Sequence, residues 1–243
     1  MDRIYGRQPV LEALKGGKDI DRVYILDSLS GSFEIEIRRL CRDAGIPLNR
    51  IPKTKLDYEV KGNHQGIYAI TSALAYRDLE ALVRVAFMKD HVPVLILLDG
   101  IKDVRNIGAI ARSAEVLGAD GIIIPAKGSA PINEDAIKTS AGALLHIPVV
   151  REKNLQVALD YLCSQGFRII GADKRDGKPL SDVNLSGPLA IVMGSEDRGI
   201  NRHLEIYFDE KCFIPQVGKT DSLNVSVATG IILYEIAKQR SVE

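Results

Sequence analysis

The sequence predicts an α/β protein with a mostly parallel sheet, preceded by a smaller α/β unit. Three observations carry this. Strand-like and helix-like segments alternate almost throughout, the order in which parallel strands are joined by crossover helices. VPVLILLDG (92–100) is a continuous apolar run ending in Asp-Gly, which suits a strand covered on both faces. Glycines close the periodic helical stretches, as at Gly45 and Gly118.

The elements follow in order. RVYILD (22–27) alternates and reads as a strand. FEIEIRRLCRDAG (33–45) places Phe33, Ile37, Leu40, Cys41 and Ala44 at helical spacing, with Gly45 as its stop. IPLNRI, a short helical stretch TKLDYEV, a turn at Gly62-Asn63 and an apolar strand GIYAI (66–70) come next. After the apolar run at 92–100, NIGAIARSAEVLG (106–118) reads as a helix with Asn106 as cap and Gly118 as stop. GIIIP, a helical stretch near 135–145, PVV (148–150), the helix LQVALDYLCSQG and the strand FRIIGAD continue the alternation. LAIVMG (189–194) and KCFIP (211–215) are further strands, and NVSVATGIILYEIAKQR (224–240) is a long closing helix. Its apolar face (Val225, Ala228, Ile231, Ile232, Ile236) serves either core or interface.

At roughly 150 residues per domain, 243 residues suggest one or two. The boundaries expected are 1–75, a linker at 76–88 where no strong strand is visible, and 89–243. Lys plus Arg and Asp plus Glu are both 32, which excludes a strongly basic nucleic-acid coat and an acidic disordered tail. The charge splits weakly: 12 basic and 10 acidic residues in 1–75, two of each in 76–88, and 18 and 20 in 89–243. An excess of two charges does not by itself argue for RNA binding. Cys41, Cys163 and Cys212 lie far apart with no C-x-x-C pair, so they read as reduced, mostly buried thiols of a cytosolic protein. The start MDRIYGRQP lacks a signal-like apolar stretch, and VPVLILL is too short to span a bilayer. The expectation is a cytoplasmic protein.

Several chemistries are missing. No G-x-G-x-x-G follows a strand, and no G-x-S-x-G elbow is present. Gly218-Lys219-Thr220 imitates a P-loop ending, but Phe213 stands where the motif needs glycine. His64, His91, His146 and His203 show no metal-ligand spacing, so no metal is expected.

Three segments fall where an open parallel sheet carries function, beyond the carboxyl ends of strands. They are DGIKDVRNIGAIARSA (99–114), LAIVMGSEDRG (189–199) and FIPQVGKTDSLNVSV (213–227). Each has an ordinary explanation when taken singly. Asn106 and Asn224 could be helix caps, Arg112 a solvated helix residue, Gly194 a turn, Glu196 a surface acid and Ser222 a loop hydroxyl. Asn106 and Arg112 are also six residues apart, so they need not face one ligand.

Together the segments resemble the three motifs of the SpoU (TrmH) branch of the SPOUT class of S-adenosylmethionine-dependent RNA 2′-O-ribose methyltransferases. Asn106-Ile107-Gly108 through Arg112 resembles the first, LAIVMGSEDRGI the second, and IPQVGKTDSLNVSVATGI the third. IYGRQPVLEAL (4–14) and HQGIYA (64–69) are similar to the substrate-binding domain of the subgroup that methylates a guanosine of large-subunit ribosomal RNA. One departure is visible: many members carry Pro and His before the Asn, and this chain has Val104-Arg105.

The resemblance implies methyl transfer to a ribose 2′-hydroxyl, a C-terminal trefoil knot and a homodimer with the site near its interface. It implies a cofactor cradle at Gly194, Ile214, Leu223 and Asn224, and catalytic roles for Asn106, Arg112, Glu196, Ser222 and Asn224. Within it, Arg112 activates the hydroxyl. Because arginine is almost never deprotonated, gripping a phosphate or stabilising the developing alkoxide fits its chemistry better than acting as a base. Glu196 is expected to hold Arg112 or Asn106, and Ser222 and Asn224 to orient the ribose or a first-motif side chain. Glycine at 194 is expected to let the ligand approach the backbone. In the N-terminal unit, Tyr5-Gly6-Arg7 and His64-Gln65-Gly66 are stronger candidates for RNA contact than the helix-face arginines Arg38, Arg39 and Arg42. Two other readings are a transfer RNA methyltransferase and a non-catalytic RNA-binding protein of the same fold.

Overall fold

The computed structural model describes residues 3–173, 176–218 and 222–241. The chain divides into two units, Met1–Ala75 with Pro131–Glu134, and Tyr76–Ala130 with Asp135–Glu243.

The first unit contains β1 (Arg3–Tyr5), α1 (Arg7–Lys15), β2 (Ile20–Leu26), α2 (Ser32–Asp43), β3 (Leu48–Ile51), α3 (Lys53–Glu59) and β4 (Ile67–Thr71). Its sheet runs β1-β4-β2-β3, with β4 antiparallel to both neighbours and β3 parallel to β2. The period of two along β4 divides its core. Ile67 and Ala69 join Val10, Leu14, Ile37 and Cys41 of α1 and α2, while Tyr68 and Ile70 join Leu56 of α3.

The second unit contains α4 (Leu79–Phe87), β5 (Val94–Asp99), α5 (Val104–Val116), β6 (Gly121–Pro125), α6 (Glu134–Thr139, its first residue counted with the other unit), β7 (Val149–Glu152) and α7 (Leu155–Ser164). It continues through β8 (Arg168–Ala172), β9 (Lys178–Pro179), β10 (Leu189–Gly194), β11 (Glu210–Phe213) and α8 (Val225–Arg240). The sheet order is β7-β6-β5-β10-β8-β11-β9, and every recorded pairing is parallel. β5 lies inside it with Leu95 to Leu98 fully buried, which is why its sequence is an unbroken apolar run. Leu95 and Leu97 pack with α4 and α7, and α5 packs against α8 in this unit, close at Ser113 and Gly230.

The segment 76–88, expected to be a linker, is corrected by the structure. Asp78 Oδ1 accepts from Ala81 N at 2.9 Å and caps α4, whose Leu79, Leu82, Val83 and Ala86 are buried in the second unit. Apolar residues at helical spacing were present there; the absence of a strand was mistaken for the absence of structure. The helix expected near 135–145 is a shorter α6 followed by a 3-10 turn at Ala143–Leu145. Among the described residues no helix is long and apolar enough to cross a membrane, and no group of three or more His, Cys, Asp or Glu could hold a metal ion.

Candidate active site

Parallel pairing aligns the carboxyl ends of β5 and β10, with Asp99 opposite Gly194. The chain leaving β5 forms α5, and that leaving β10 turns back on itself. Asp103, not Asn106, caps α5: its Oδ1 accepts from Arg105 N at 2.8 Å. The expected cap role of Asn106 is therefore wrong. Asn106 sits in the first helical turn, with its carboxamide free for another partner. Asn224 does cap α8, its Oδ1 accepting from Ser226 N at 2.9 Å. That cap leaves the Asn224 Nδ2 facing outward from the helix start.

Glu196 joins the two. Its Oε1 accepts from Asn106 Nδ2 at 3.2 Å, Asn224 Nδ2 at 2.7 Å and Val225 N at 3.3 Å. Asn224 Nδ2 also donates to Asn106 Oδ1 at 2.9 Å. One residue from each of the three sequence segments thus meets in a single hydrogen-bonded cluster. The expectation that Glu196 holds Asn106 matches this geometry, and no bond from Glu196 to Arg112 is present.

Two glycines set the backbone around the cluster. A Cβ on Gly194 would lie 2.2 Å from Gly199 C and 2.3 Å from Ile200 N, so residue 194 is glycine because the returning turn packs on it. Gly194 also lines a cavity beside the turn, so this packing stands beside the expected ligand approach. The turn is closed by Ser195 N to Gly199 O at 3.2 Å and Gly199 N to Ser195 O at 2.8 Å. A Cβ on Gly108 would meet Thr139 Cβ at 2.7 Å and Ala136 O at 2.8 Å, so the glycine two residues after Asn106 lets α5 lie against α6.

A cavity of about 330 Å³ opens beside the turn. Met193, Ile214, Leu223, Ala228 and Ile232 give it apolar walls, and Gly194, Ser195 and Gly199 bring backbone groups to its edge. Ser222, an exposed residue, lines it as well, with no hydrogen bond among the described residues. Lys219, Thr220 and Asp221, which belong to the third segment and include two residues of the rejected P-loop, lie outside the described residues. Cys212 also lines the cavity, and burial pushes its thiol up to about 12, so it is a neutral thiol at pH 7 and not a thiolate nucleophile.

A second, more polar groove of about 810 Å³ meets the first along Ser195–Gly199, and Asn106, Glu196 and Val225 line it. Sequence reasoning missed two carboxylates here. Asp99 Oδ2 accepts from Asn201 N at 2.7 Å and fixes the chain beyond the turn. Asp173 is buried and lines the 330 Å³ cavity. Both stand at or just after the carboxyl end of a strand, a signal the sequence contained.

Arg112 is not part of the cluster. It is exposed and makes no ion pair or hydrogen bond among the described residues. Six residues along α5 from Asn106 place it about 240° around the helix. Near the α5–α8 packing, Val116, Val227, Ile231 and Tyr234 are exposed. On α8 the core takes Val225, Thr229, Ile232, Leu233 and Ile236, leaving Ile231 partly outside and Ala228 against the cavity.

In the first unit the two candidate RNA segments hold each other. Gln65 Oε1 accepts from Arg7 N at 2.9 Å, and Arg7 stacks its guanidinium 5.0 Å from the Phe33 ring centre. His64 Nδ1 accepts from Gly66 N at 3.0 Å, so Nε2 carries the proton and donates to Asp57 Oδ1 at 2.7 Å.

Comparison with known proteins places this geometry. The SpoU rRNA Methylase family matches residues 93–234, and RNA 2′-O ribose methyltransferase substrate binding matches 3–77. The chain is 32% identical over 240 residues to YacO of Bacillus subtilis, named a TrmH family tRNA/rRNA methyltransferase, covering 99% of this chain and 96% of that one. A protein of the same designation from Staphylococcus saprophyticus is 34% identical over 98% of this chain and 96% of its own. Among solved structures, the SpoU methyltransferase AviRb from Streptomyces viridochromogenes, in complex with AdoMet, shares the fold with a TM-score of 0.64 and 23% identity, over 99% of this chain and 91% of that one. The A. aeolicus TrmH/SpoU tRNA modifying enzyme aligns with a TM-score of 0.58 and 29% identity, over 68% of this chain and 83% of its own. The family match across most of the second unit and the near full-length relatives establish that this chain belongs to the SpoU (TrmH) family of RNA methyltransferases.

Proposed function

We propose that the protein transfers a methyl group from S-adenosylmethionine to a ribose 2′-hydroxyl of RNA, on a guanosine of large-subunit ribosomal RNA. The observation that carries this reading is the Asn106–Glu196–Asn224 cluster, set where the 330 Å³ cavity meets the 810 Å³ groove. The cavity fits the methyl donor chemically: apolar walls suit an adenine, and backbone groups suit its polar edges. When bound, the donor offers a methyl on a positively charged sulfur; attack by the 2′-oxygen forms the C–O bond, breaks the C–S bond to leave a neutral thioether, and releases the hydroxyl proton.

This chain's residues align that attack. Glu196 fixes both carboxamides, and they fix the edge along which a ribose would lie. Gly194 and Leu223 border the donor, with Ile214 contacting it through main chain and side chain. Ser222 orients the ribose. Arg112 supplies a planar cation to a neighbouring phosphate or to the developing alkoxide. Because Arg112 stands apart from the cluster on an exposed face with Val116, Val227, Ile231 and Tyr234, the reading includes a homodimer that buries that face near the site. It also includes a C-terminal trefoil knot that shapes the donor site, with Ile214, Leu223 and α8 beside the donor, and a cytoplasmic place of action.

The ribosomal substrate is favoured over transfer RNA by the first unit. An rRNA methyltransferase from Sinorhizobium meliloti aligns over 98% of this chain, whereas the A. aeolicus tRNA modifying enzyme aligns over 68%. The test uses radiolabelled methyl donor with unmodified large-subunit ribosomal RNA and, separately, unmodified transfer RNA. Label on a ribose of ribosomal RNA alone, lost in Arg112→Ala, is the expected result. Label on transfer RNA overturns the substrate assignment, and label on neither overturns the activity on free RNA.

A further inference from the structure

The 810 Å³ groove does not end at the cluster. It shares Lys102 and Asp103 with a further open groove of about 800 Å³, lined also by Val104, Arg105, Asp135, Lys138 and Thr139. The two adjoin at Lys102 and Asp103 on the second unit, a channel whose first part is lined by Asn106 and Glu196. Arg105 lies at the point where the chain departs from the first motif.

The cations of the second unit are distributed unevenly with respect to this channel. Some make ion pairs, among them Lys89 with Asp120, Arg168 and Lys178 with Glu210, and Lys211 with Glu205. Nine of the unit's described lysines and arginines make no ion pair, and six of those nine line the channel: Lys102, Arg105, Lys127, Lys138, Arg198 and Arg202. The other three are Arg77, Arg84 and Arg112. Three of the channel's carboxylates are already committed: Asp99 to Asn201 N, Asp103 to the α5 cap, and Glu196 to the carboxamides. Asp135 and Asp197 line the channel too, so with Lys153 it holds seven lysines and arginines against five carboxylates, an excess of positive charge.

What it lacks is equally specific. Among the described residues no Phe, Tyr or Trp lines either groove, and the one aromatic ring there is the His203 imidazole. Single-stranded nucleic acid bound through its bases calls for aromatic platforms, whereas bound through its backbone it calls for a row of cations. We infer that the channel holds the phosphodiester backbone of the RNA flanking the target ribose, with Lys102, Arg105 and Lys138 clasping a phosphate beyond the cluster. This rests on the RNA methyltransferase reading for the identity of the polyanion, and adds to it where on this chain the flanking backbone runs.

The experiment compares the full-length wild type with Arg105→Glu/Lys138→Glu, with Arg105→Lys/Lys138→Arg, and with Arg84→Glu, which reverses an unpaired cation outside the channel. Filter binding to unmodified large-subunit ribosomal RNA and to unmodified transfer RNA is measured across salt concentrations, beside methyl-transfer kinetics and calorimetry with S-adenosylmethionine. Releasing that one phosphate lowers the magnitude of the log-affinity against log-salt slope by about 0.7 to 0.9. The double reversal is expected to show that drop and to raise KM for RNA about tenfold or more at moderate salt. It should leave kcat at saturating RNA and donor affinity unchanged, which also reports an intact fold. The charge-conserving variant and Arg84→Glu should match wild type. An unchanged slope in the double reversal overturns the clasp while leaving the methyltransferase reading in place. A matching drop in Arg84→Glu overturns it too, because net charge alone would then explain the effect. If the wild type binds RNA without transferring methyl, the slopes still decide the clasp and only the catalytic reading falls. If it binds neither RNA, both fall.

Discussion

Asn224 and Asn106 stand 118 residues apart in sequence, and the Nδ2 of the first donates to the Oδ1 of the second at 2.9 Å. The orientation of both carboxamides follows from this pair. Asn224 Oδ1 is taken by the α8 cap, so its nitrogen must face Asn106 and Glu196. Asn106 then accepts from Asn224 and donates to Glu196. Asn224→Ser separates the two tasks, because serine caps a helix about as well as asparagine but cannot reach with an amide donor. Its melting temperature should stay close to wild type while kcat falls about 100-fold, the scale of a misplaced catalytic geometry. A matched loss of stability and rate would make Asn224 a cap and nothing more.

Glu196 tests the same cluster from its acceptor side. Glu196→Gln keeps an oxygen able to take the three donors, whereas Glu196→Ala leaves them without a partner. Glutamine should retain a measurable fraction of the methyl-transfer rate, and alanine should lose about 100-fold or more. Equal losses in the two variants, read from single-turnover rates at saturating donor, would point to a need for the negative charge itself.

The fold of the second unit was legible because each buried strand is an apolar run followed by a helical period. The three segments were legible because function in a parallel sheet gathers at strand ends. Other features could not be read along one dimension. The packing demand on Gly194 comes from the backbone at Gly199 and Ile200, which only the folded turn brings within 2.2 to 2.3 Å of a Cβ there. Asn106 was assigned to a cap because asparagine starts helices, and Asp103, three residues earlier, does so here. Helix α4 was missed where a segment between two units was expected to be a linker. Asp99 and Asp173 carried a readable signal, a carboxylate at a strand end, that was not used.

Arg112 and Glu196 do not meet within one chain, and the exposed face around Arg112 is expected to be covered by a second copy. If Arg112 serves the site of that copy, mixing inactive Arg112→Ala with inactive Glu196→Ala protein should restore activity. Random exchange of subunits gives hybrid dimers with one intact site, so about a quarter of the wild-type rate is expected at equal concentrations. Arg112→Lys should remain well below wild type because an ammonium lacks the planar fork. No recovery on mixing, with exchange verified by mass, would place Arg112 at the site of its own chain.

Gly194→Ala should be among the most damaging single-methyl additions in the second unit. The new Cβ would fall on backbone at 199–200, which cannot rotate away as a side chain can. Overpacking of this kind costs about 1–3 kcal/mol or more. The turn carrying Glu196 should shift, so thermal stability and methyl transfer should fall together. A variant with wild-type stability and only weakened donor binding would instead return Gly194 to the ligand.

The first unit offers a pH-dependent test of its own packing. Glu34 on α2 is buried, hydrogen-bonded by Arg38 and reached by Arg50 Nη2 at 2.8 Å. The Arg38 hydrogen bond, aided by Arg50 and opposed by desolvation, holds the Glu34 carboxyl below its ordinary value. A carboxyl lowered in the folded state binds its proton more readily when unfolded. Its contribution is therefore present above the ordinary glutamate range and is lost as pH falls through the lowered folded value. Glu34→Gln should reduce the protection of the first unit's amides in hydrogen exchange near neutral pH. The gap to wild type should close as the solution is taken down through the carboxylate range, because protonated Glu34 and glutamine then present similar neutral groups to Arg38 and Arg50. A gap that stayed constant down to strong acid would assign the effect of Glu34 to shape and packing instead of charge.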